Sequence, residues 1–265
     1  MAAPAIRIEK LSLGYRTGNG PVTAIEEISL EIAPRSFVSI VGPSGCGKTT
    51  LLKVLSGVLK PTSGRVTFDD VPIEQTNLSG EIGYVFQRPL LLPWRTAVQN
   101  VLLTTEIARK DVPLADRVAE ARKWLSLTGL AGFEDRLPHE LSGGMQQRVS
   151  LSRALALHPS ILLMDEPFAA LDEITREAMQ EQLLQLWSLT ESTVVFVTHS
   201  IGEAVLLSER VIVMTARPGR VDTVIDVPFP RPRDEALRGS AAFAELVQSI
   251  RRKLRHSQPA LEGVA

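Results

Sequence analysis

The stretch Gly42-Pro43-Ser44-Gly45-Cys46-Gly47-Lys48-Thr49-Thr50 constrains this chain more than any other, because it fits the phosphate-binding pattern G-x-x-x-x-G-K-[ST]. Its flanks suit that reading. Phe37 to Val41 is an apolar run that predicts a buried strand, and Thr50 to Leu59 carries Leu51, Leu52, Val54, Leu55 and Leu59 at helical spacing. In such a strand-loop-helix unit, Gly42, Gly45 and Gly47 let backbone N–H groups converge on phosphate oxygens, with the positive end of the next helix behind them. Pro43, Ser44, Cys46 and Thr50 complete the cradle. Lys48 is expected to reach the β- and γ-phosphates of a nucleotide and the Thr49 hydroxyl to ligate Mg²⁺. A merely structural glycine turn would require neither side chain.

Composition bounds the rest. A chain of 265 residues that is 44% apolar can fill a sizeable core, as one large α/β domain or two small ones. Lys plus Arg is 29 against 30 for Asp plus Glu, so no electrostatic case exists for a nucleic-acid partner. The longest apolar runs, such as Ile161 to Met164 and Val194 to Val197, fall far short of the roughly 18 residues of a membrane span, and the N-terminus has no secretory apolar region. A single cysteine, Cys46, excludes an internal disulfide and suits a reducing compartment.

The periodicity predicts an α/β fold. Alternating apolar residues (Ile6, Ile8; Ile28, Leu30, Ile32) around Gly18 to Pro21 read as an N-terminal antiparallel β subdomain. Further strands are expected at Arg65 to Phe68 and at Ile82 to Phe86, the latter leading into Gln87. Residues 88–157 read as an inserted helical subdomain, with Val118, Ala121, Trp124 and Leu125 at helical spacing. Strands at Ile161 to Met164, Val194 to Val197 and Val211 to Met214 then alternate with helices, the signature of a mostly parallel sheet. Residues 1–230 are thus expected to form one domain. Residues 231–265 read as a Pro/Arg linker and an amphipathic helix on Phe243, Leu246, Val247, Ile250 and Leu254, whose basic end (Arg251, Arg252, Lys253, Arg255) either complements the helix dipole or touches anionic lipid.

Two further motifs carry chemistry. Ile161 to Met164 ends in Asp165 and Glu166, which places a magnesium ligand and a general base at the C-terminal edge of the sheet. Leu141-Ser142-Gly143-Gly144-Met145-Gln146-Gln147-Arg148 opens a helix, and this octet resembles the signature motif of the ATP-binding cassette (ABC) family of ATPases. The likeness extends from about Ile6 to Val227 and implies a phosphate-loop ATPase core. By that resemblance Tyr15 stacks on adenine, Gln87 senses Mg²⁺ and the attacking water, Asp165 holds the metal, and Glu166 activates water. Ala170-Leu171-Asp172 matches the D-loop, and His199 matches the switch histidine that contacts the γ-phosphate. Ser142, Gly143 and Gly144 would cap ATP held by a second copy of the chain in a head-to-tail dimer. Met145 and Ala169 depart from the usual family residues.

Finer similarity concerns Leu91 to Thr96, Phe168 to Asp172, Gln185 to Trp187 and Thr215 to Arg220, which resemble the nitrate, sulfonate and taurine group of bacterial importers. The resemblance implies ATP hydrolysis coupled to uptake of a small solute. It also implies a peripheral position on the cytoplasmic face of the inner membrane, a permease contacted by Trp94 and Arg95, and, indirectly, a solute-binding protein. The alternative is a soluble ABC ATPase acting on ribosomes or DNA repair. Cys46, between two glycines and near Lys48, is expected to be a reactive thiolate at the phosphate site, or else a slow thiol beneath the loop.

Overall fold

In the computed structural model, residues 3–256 are described apart from 19, 77 and 79. The chain divides into two compact units, Pro4–Thr76 with Val195–Ala265, and Met1–Ala3 with Asn77–Val194.

The first unit opens with strands β1 (Ile6–Thr17) and β2 (Gly20–Ile32), then β3 (Phe37–Val41), helix α1 (Lys48–Leu55), β4 (Ser63–Phe68) and β5 (Val71–Pro72). An antiparallel sheet runs β2-β1-β4-β5, with Ile6 opposite Ile32 and Tyr15 opposite Val22. Its alternating apolar residues (Ile6, Ile8, Ile28, Leu30, Ile32) are buried on one face, as the period of two predicts. Strand β3 is buried at every position, the mark of a strand covered on both faces. After its second segment begins, this unit adds α6 (Ile201–Leu207), β9 (Arg210–Met214), β10 (Val221–Asp226), α7 (Glu235–Arg238) and α8 (Ala241–His256). Strand β9 runs parallel to β3 (Ile40 opposite Ile212) and antiparallel to β10.

The other unit contains β6 (Ile82–Val85), α2 (Ala97–Ala108), α3 (Leu114–Leu127), α4 (Gly143–Leu155), β7 (Ile161–Asp165) and α5 (Glu173–Ser188). Strands β6 and β7 are parallel, with Tyr84 opposite Leu163. On α3, Ala121, Trp124 and Leu125 are buried and Val118 is half-buried. Strand β8 (Thr193–Val197) carries the chain from this unit back into the first.

Some boundaries differ from expectation for identifiable reasons. Helix α1 stops at Leu55 and not Leu59, because Gly57 adopts a left-handed φ of 73° and Leu59 N–H turns back to the Lys53 carbonyl. Strand β6 stops at Val85, where Phe86 leaves the ladder and stacks on Tyr84 with centroids 4.3 Å apart. The C-terminal amphipathic helix forms as α8, but its apolar face is spent inside its own unit. Phe243 and Ile250 are buried against Val41, Ala204, Val205, Leu206, Val211 and Val213, which removes that face from any membrane surface. Among the described residues no helix is long and apolar enough to cross a membrane.

Candidate functional site

The phosphate loop joins β3 to α1, and its glycines serve two different ends. At Gly42 an added Cβ would fall 2.7 Å from Cys46 Sγ and 2.9 Å from the Met214 carbonyl; at Gly47 it would fall 2.4 Å from Ile25 Cγ2. Both positions are closed by the protein's own packing. Gly47 is left-handed as well, with φ 91°, and Gly45, at φ 75°, needs glycine for its backbone alone. Helices α2, α4, α5 and α6 are each capped by a side chain (Thr96, Ser142, Asp172, Ser200), whereas Gly47 gives α1 no side-chain cap. The start of α1, where the Leu51 N–H is the first to bond back to the Gly47 carbonyl, is therefore left without a side-chain cap at the loop, the setting in which helix N-termini receive anions.

Lys48 is buried, and its ammonium donates to the carbonyls of Gly42 (2.9 Å) and Pro43 (3.1 Å). Those contacts hold the cation inside the loop's curve. Tyr15 is brought to the same place: its hydroxyl lies 3.2 Å from Thr50 Oγ1, and its ring is 40% exposed, so an aromatic face is displayed beside the phosphate loop. Thr49 and Ser44 are exposed. Beside β3, the Thr198 N–H donates to the Ile40 carbonyl, so His199 leaves the sheet at the same edge as Gly42. The turn after β8 is tied by its own side chains. Thr198 Oγ1 donates to Glu203 Oε2 at 2.5 Å and accepts from the Ser200 N–H, while Ser200 Oγ caps α6 at Glu203.

In the other unit, Asp165 is the last residue of β7 and is nearly buried, and Glu166 follows it with a left-handed φ of 46°. That backbone is costly for a residue with a side chain and re-aims Glu166 away from the strand direction. Burial, and to a lesser degree the negative charge of Asp165, pushes the Tyr84 phenol up from its ordinary pKa. Gln87 is exposed just beyond the end of β6. Helix α4 begins at Gly143 with Ser142 as its cap, Ser142 Oγ accepting from the Met145 N–H. Gly144 is forced by packing, since a Cβ there would sit 2.9 Å from Thr175 Cγ2, whereas a Cβ on Gly143 would meet nothing within 4 Å beyond its chain neighbours and its own helix backbone. The turn Phe168 to Asp172 is strapped by Arg176, which donates to the carbonyls of Phe168 and Leu171, and Asp172 caps α5.

The ABC transporter profile matches residues 25–169. This chain belongs to the ABC transporter family. It is 45% identical to a taurine import ATP-binding protein of Rhizobium johnstonii over 98% of this chain and 100% of that one. It is 41% identical to a bicarbonate transport ATP-binding protein of Synechocystis sp., over 86% and 81% of the two chains. Among solved structures it resembles a dimeric ATP-binding cassette in a post-hydrolysis state bound to ADP and phosphate, with TM-score 0.76, 34% identity, and coverage of 85% of this chain and 100% of that one. The chain is an ABC ATPase.

Within this cassette, one expectation needs correction. Cys46 is fully buried, its sulfur packed behind Gly42 and 4.0 Å from the Lys48 ammonium, and its N–H closes a turn onto the Pro43 carbonyl. It lies beneath the loop and is closed off from solvent, not displayed at the phosphate site. Arg95 is half-buried, paired with Glu106 at 2.8 Å and donating to the Gln99 carbonyl. Trp94 is 72% exposed beside it, on a turn held by residues the motif reading passed over. Buried Asn100 accepts from the Leu92 N–H and donates to the carbonyls of Leu92, Arg95 and Thr96, and Arg153 donates to those of Pro89 and Leu90. Burial lowers the Arg153 pKa, so this cation is held by carbonyls in place of water. Asn100, Arg153 and Arg176 escaped notice because a lone polar residue on a helix reads as surface until its depth is known.

Proposed function

We propose that this cassette hydrolyses ATP as the paired ATPase subunit of an importer for a small solute of the taurine and sulfonate kind. The observation that carries the ATP-binding part is the uncapped start of α1 behind a left-handed Gly47, with Lys48 buried in the loop. Gly42 to Thr50 hold the phosphates, Lys48 neutralises them and Tyr15 takes the adenine. The oxygen donors Thr49, Gln87 and Asp165 suit Mg²⁺, a hard ion that is held by one or two carboxylates together with substrate phosphates and not by an all-protein cage. When bound, the metal neutralises charge developing on the phosphate oxygens. Glu166 accepts the proton of the attacking water, and His199 contacts the γ-phosphate.

Ser142, Gly143 and Gly144 are assigned to ATP held by a second copy of the chain, which the open side of Gly143 favours. The exposed Trp94, with Arg95 beside it on the pinned turn, is assigned to a permease on the cytoplasmic face of the membrane, with a solute-binding protein acting through that permease. The importer reading rests on the named relatives and stands ahead of a soluble cassette acting on ribosomes. Relatives of near-equal identity carry the names of taurine and bicarbonate transport, so the solute is set by the partners. The test is Glu166→Gln, which keeps shape and loses the base. ATP affinity should persist, phosphate release should fall at least about a hundredfold, and a dimer should accumulate on size exclusion with ATP and Mg²⁺. Turnover near wild type would remove Glu166 from its role.

A further inference from the structure

The turn between β9 and β10 carries two arginines in opposite states. Arg220 is neutralised, its guanidinium meeting Glu26 Oε2 at 2.6 Å. Its backbone closes the turn as well, the Arg220 N–H donating to Thr215 Oγ1 (3.1 Å) and the Thr215 N–H to the Arg220 carbonyl (2.9 Å). One residue back, Gly219 bolts the turn to β2. Its N–H donates to the Ala24 carbonyl and its own carbonyl accepts from the Glu26 N–H, both at 2.9 Å. Gly219 also lies against the back of the phosphate loop, where a Cβ would fall 1.9 Å from the Cys46 carbonyl oxygen. The turn is therefore rigid and registered on that loop.

Arg217 belongs to the same turn and is treated differently. It is exposed and, among the described residues, makes no hydrogen bond or ion pair. Its backbone is held at a left-handed φ of 33°, a conformation that a residue with a side chain keeps only where its surroundings impose it. The guanidinium stands at the crest of the phosphate loop. A Cβ placed on Gly45 would come within 3.8 Å of Arg217 Nη2 and, chain neighbours aside, within 4 Å of nothing else. An unpaired cation on a strained, anchored turn beside an anion cradle is poorly explained as ordinary surface charge, since the neighbouring Arg220 shows how this turn pairs an arginine when pairing is the purpose.

We propose that Arg217 is a second phosphate-binding cation of the nucleotide site, acting from the exposed side of the loop whose inner side is held by Lys48. The planar guanidinium presents paired N–H donors that match two phosphate oxygens, and a fixed turn limits the entropy lost on binding. The assignment rests on the ATP reading above and adds a residue to it.

The experiment titrates the full chain with ATP and with ADP by calorimetry, comparing wild type, Lys48→Ala, Arg217→Ala and Arg217→Lys, each with its melting temperature. Because the exposed Arg217 head makes no hydrogen bond or ion pair among the described residues, Arg217→Ala should melt with wild type while binding ATP about tenfold more weakly, the low end for a charged hydrogen bond at an exposed site. Arg217→Lys should recover part of the loss, and the salt dependence of binding should be shallower in Arg217→Ala. Wild type that fails to bind ATP would overturn the nucleotide reading itself. Wild type that binds, with Lys48→Ala weakened and Arg217→Ala within twofold of wild type, overturns this inference alone. A loss of affinity that tracks a fall in melting temperature, or a loss confined to dimer formation, overturns it too.

Discussion

Gly219→Ala tests how the nucleotide site is built. The new methyl would stand 1.9 Å from the Cys46 carbonyl oxygen and 3.1 Å from that of Ala24. Non-bonded heavy atoms settle at roughly 3.5–4.0 Å, so the turn and the phosphate loop must part by about 1.5 Å. Both obstacles are backbone, and no rotamer change can relieve them. Overpacking of this kind costs about 1–3 kcal/mol, and a site wedged between two main chains belongs at the upper end. With about 2–4 °C lost per kcal/mol in a chain of this size, the melting temperature should fall by roughly 6–12 °C. ATP affinity should fall further than stability alone explains, because displacing Cys46 spreads the N–H groups of the cradle, and about 1 Å of misplacement at such a site costs on the order of a hundredfold in turnover. Differential scanning fluorimetry and ATP titration measure both. Gly202→Ala is the control of opposite sign: its nearest neighbour is Ser200 Oγ at 4.0 Å, in the first turn of α6, and alanine there should be neutral or slightly stabilising. Gly219→Ala with an unchanged melting temperature and unchanged ATP affinity would refute the packing of this turn against the loop.

Two other perturbations probe parts that lie away from the phosphates. Arg233 is buried and donates to the carbonyls of Val205, Leu206, Ser208 and Phe229, and burial, with the nearby Arg231 adding to it, brings its pKa down to about 10. Arg233→Met should lose about 3 kcal/mol, because orphaned carbonyls at roughly 1 kcal/mol each outweigh the relief of desolvating the cation; a melting temperature within 2 °C of wild type would contradict this. Trp94→Ala should leave the isolated subunit's ATPase rate and stability unchanged while co-purification with the permease and transport both decline, and loss of the isolated activity with assembly intact would reverse the assignment.

The motif residues were legible because their chemistry demands fixed spacing along one strand, loop or helix start. Gly42 to Thr50, Asp165, Glu166 and the capped start of α4 all fall where apolar runs and glycines place them. The N-terminal sheet was readable from alternation alone. What could not be read was long-range and polar. Arg217 and Arg220 are identical on paper, and only the position of Glu26 separates the paired one from the unpaired one. The side chain of Cys46 depended on the loop folding it in behind Gly42, and the fate of the α8 apolar face depended on α6 and β9 lying beneath it. Arg95 reads as a surface cation until helix α2 brings Glu106 under it.

The discontinuity of the nucleotide-binding unit bears on how the protein is made. Strand β3, which leads into the phosphate loop, has Phe37 N–H bonded to the Glu209 carboxylate 172 positions downstream, and its parallel neighbour is β9. At translation rates of about 5–20 residues per second, β3 waits roughly 10–30 s for those partners to leave the ribosome. For most of that time, until β8 and then β9 emerge, five residues that are all buried in the finished protein lack their sheet neighbours, and pairings of such high sequence separation form slowly. Helix α8, which packs over β9, arrives last. A nascent or truncated chain that already contains the whole of Gly42 to Thr50 is therefore expected to lack a nucleotide cradle and to need protection from aggregation until its C-terminus is free.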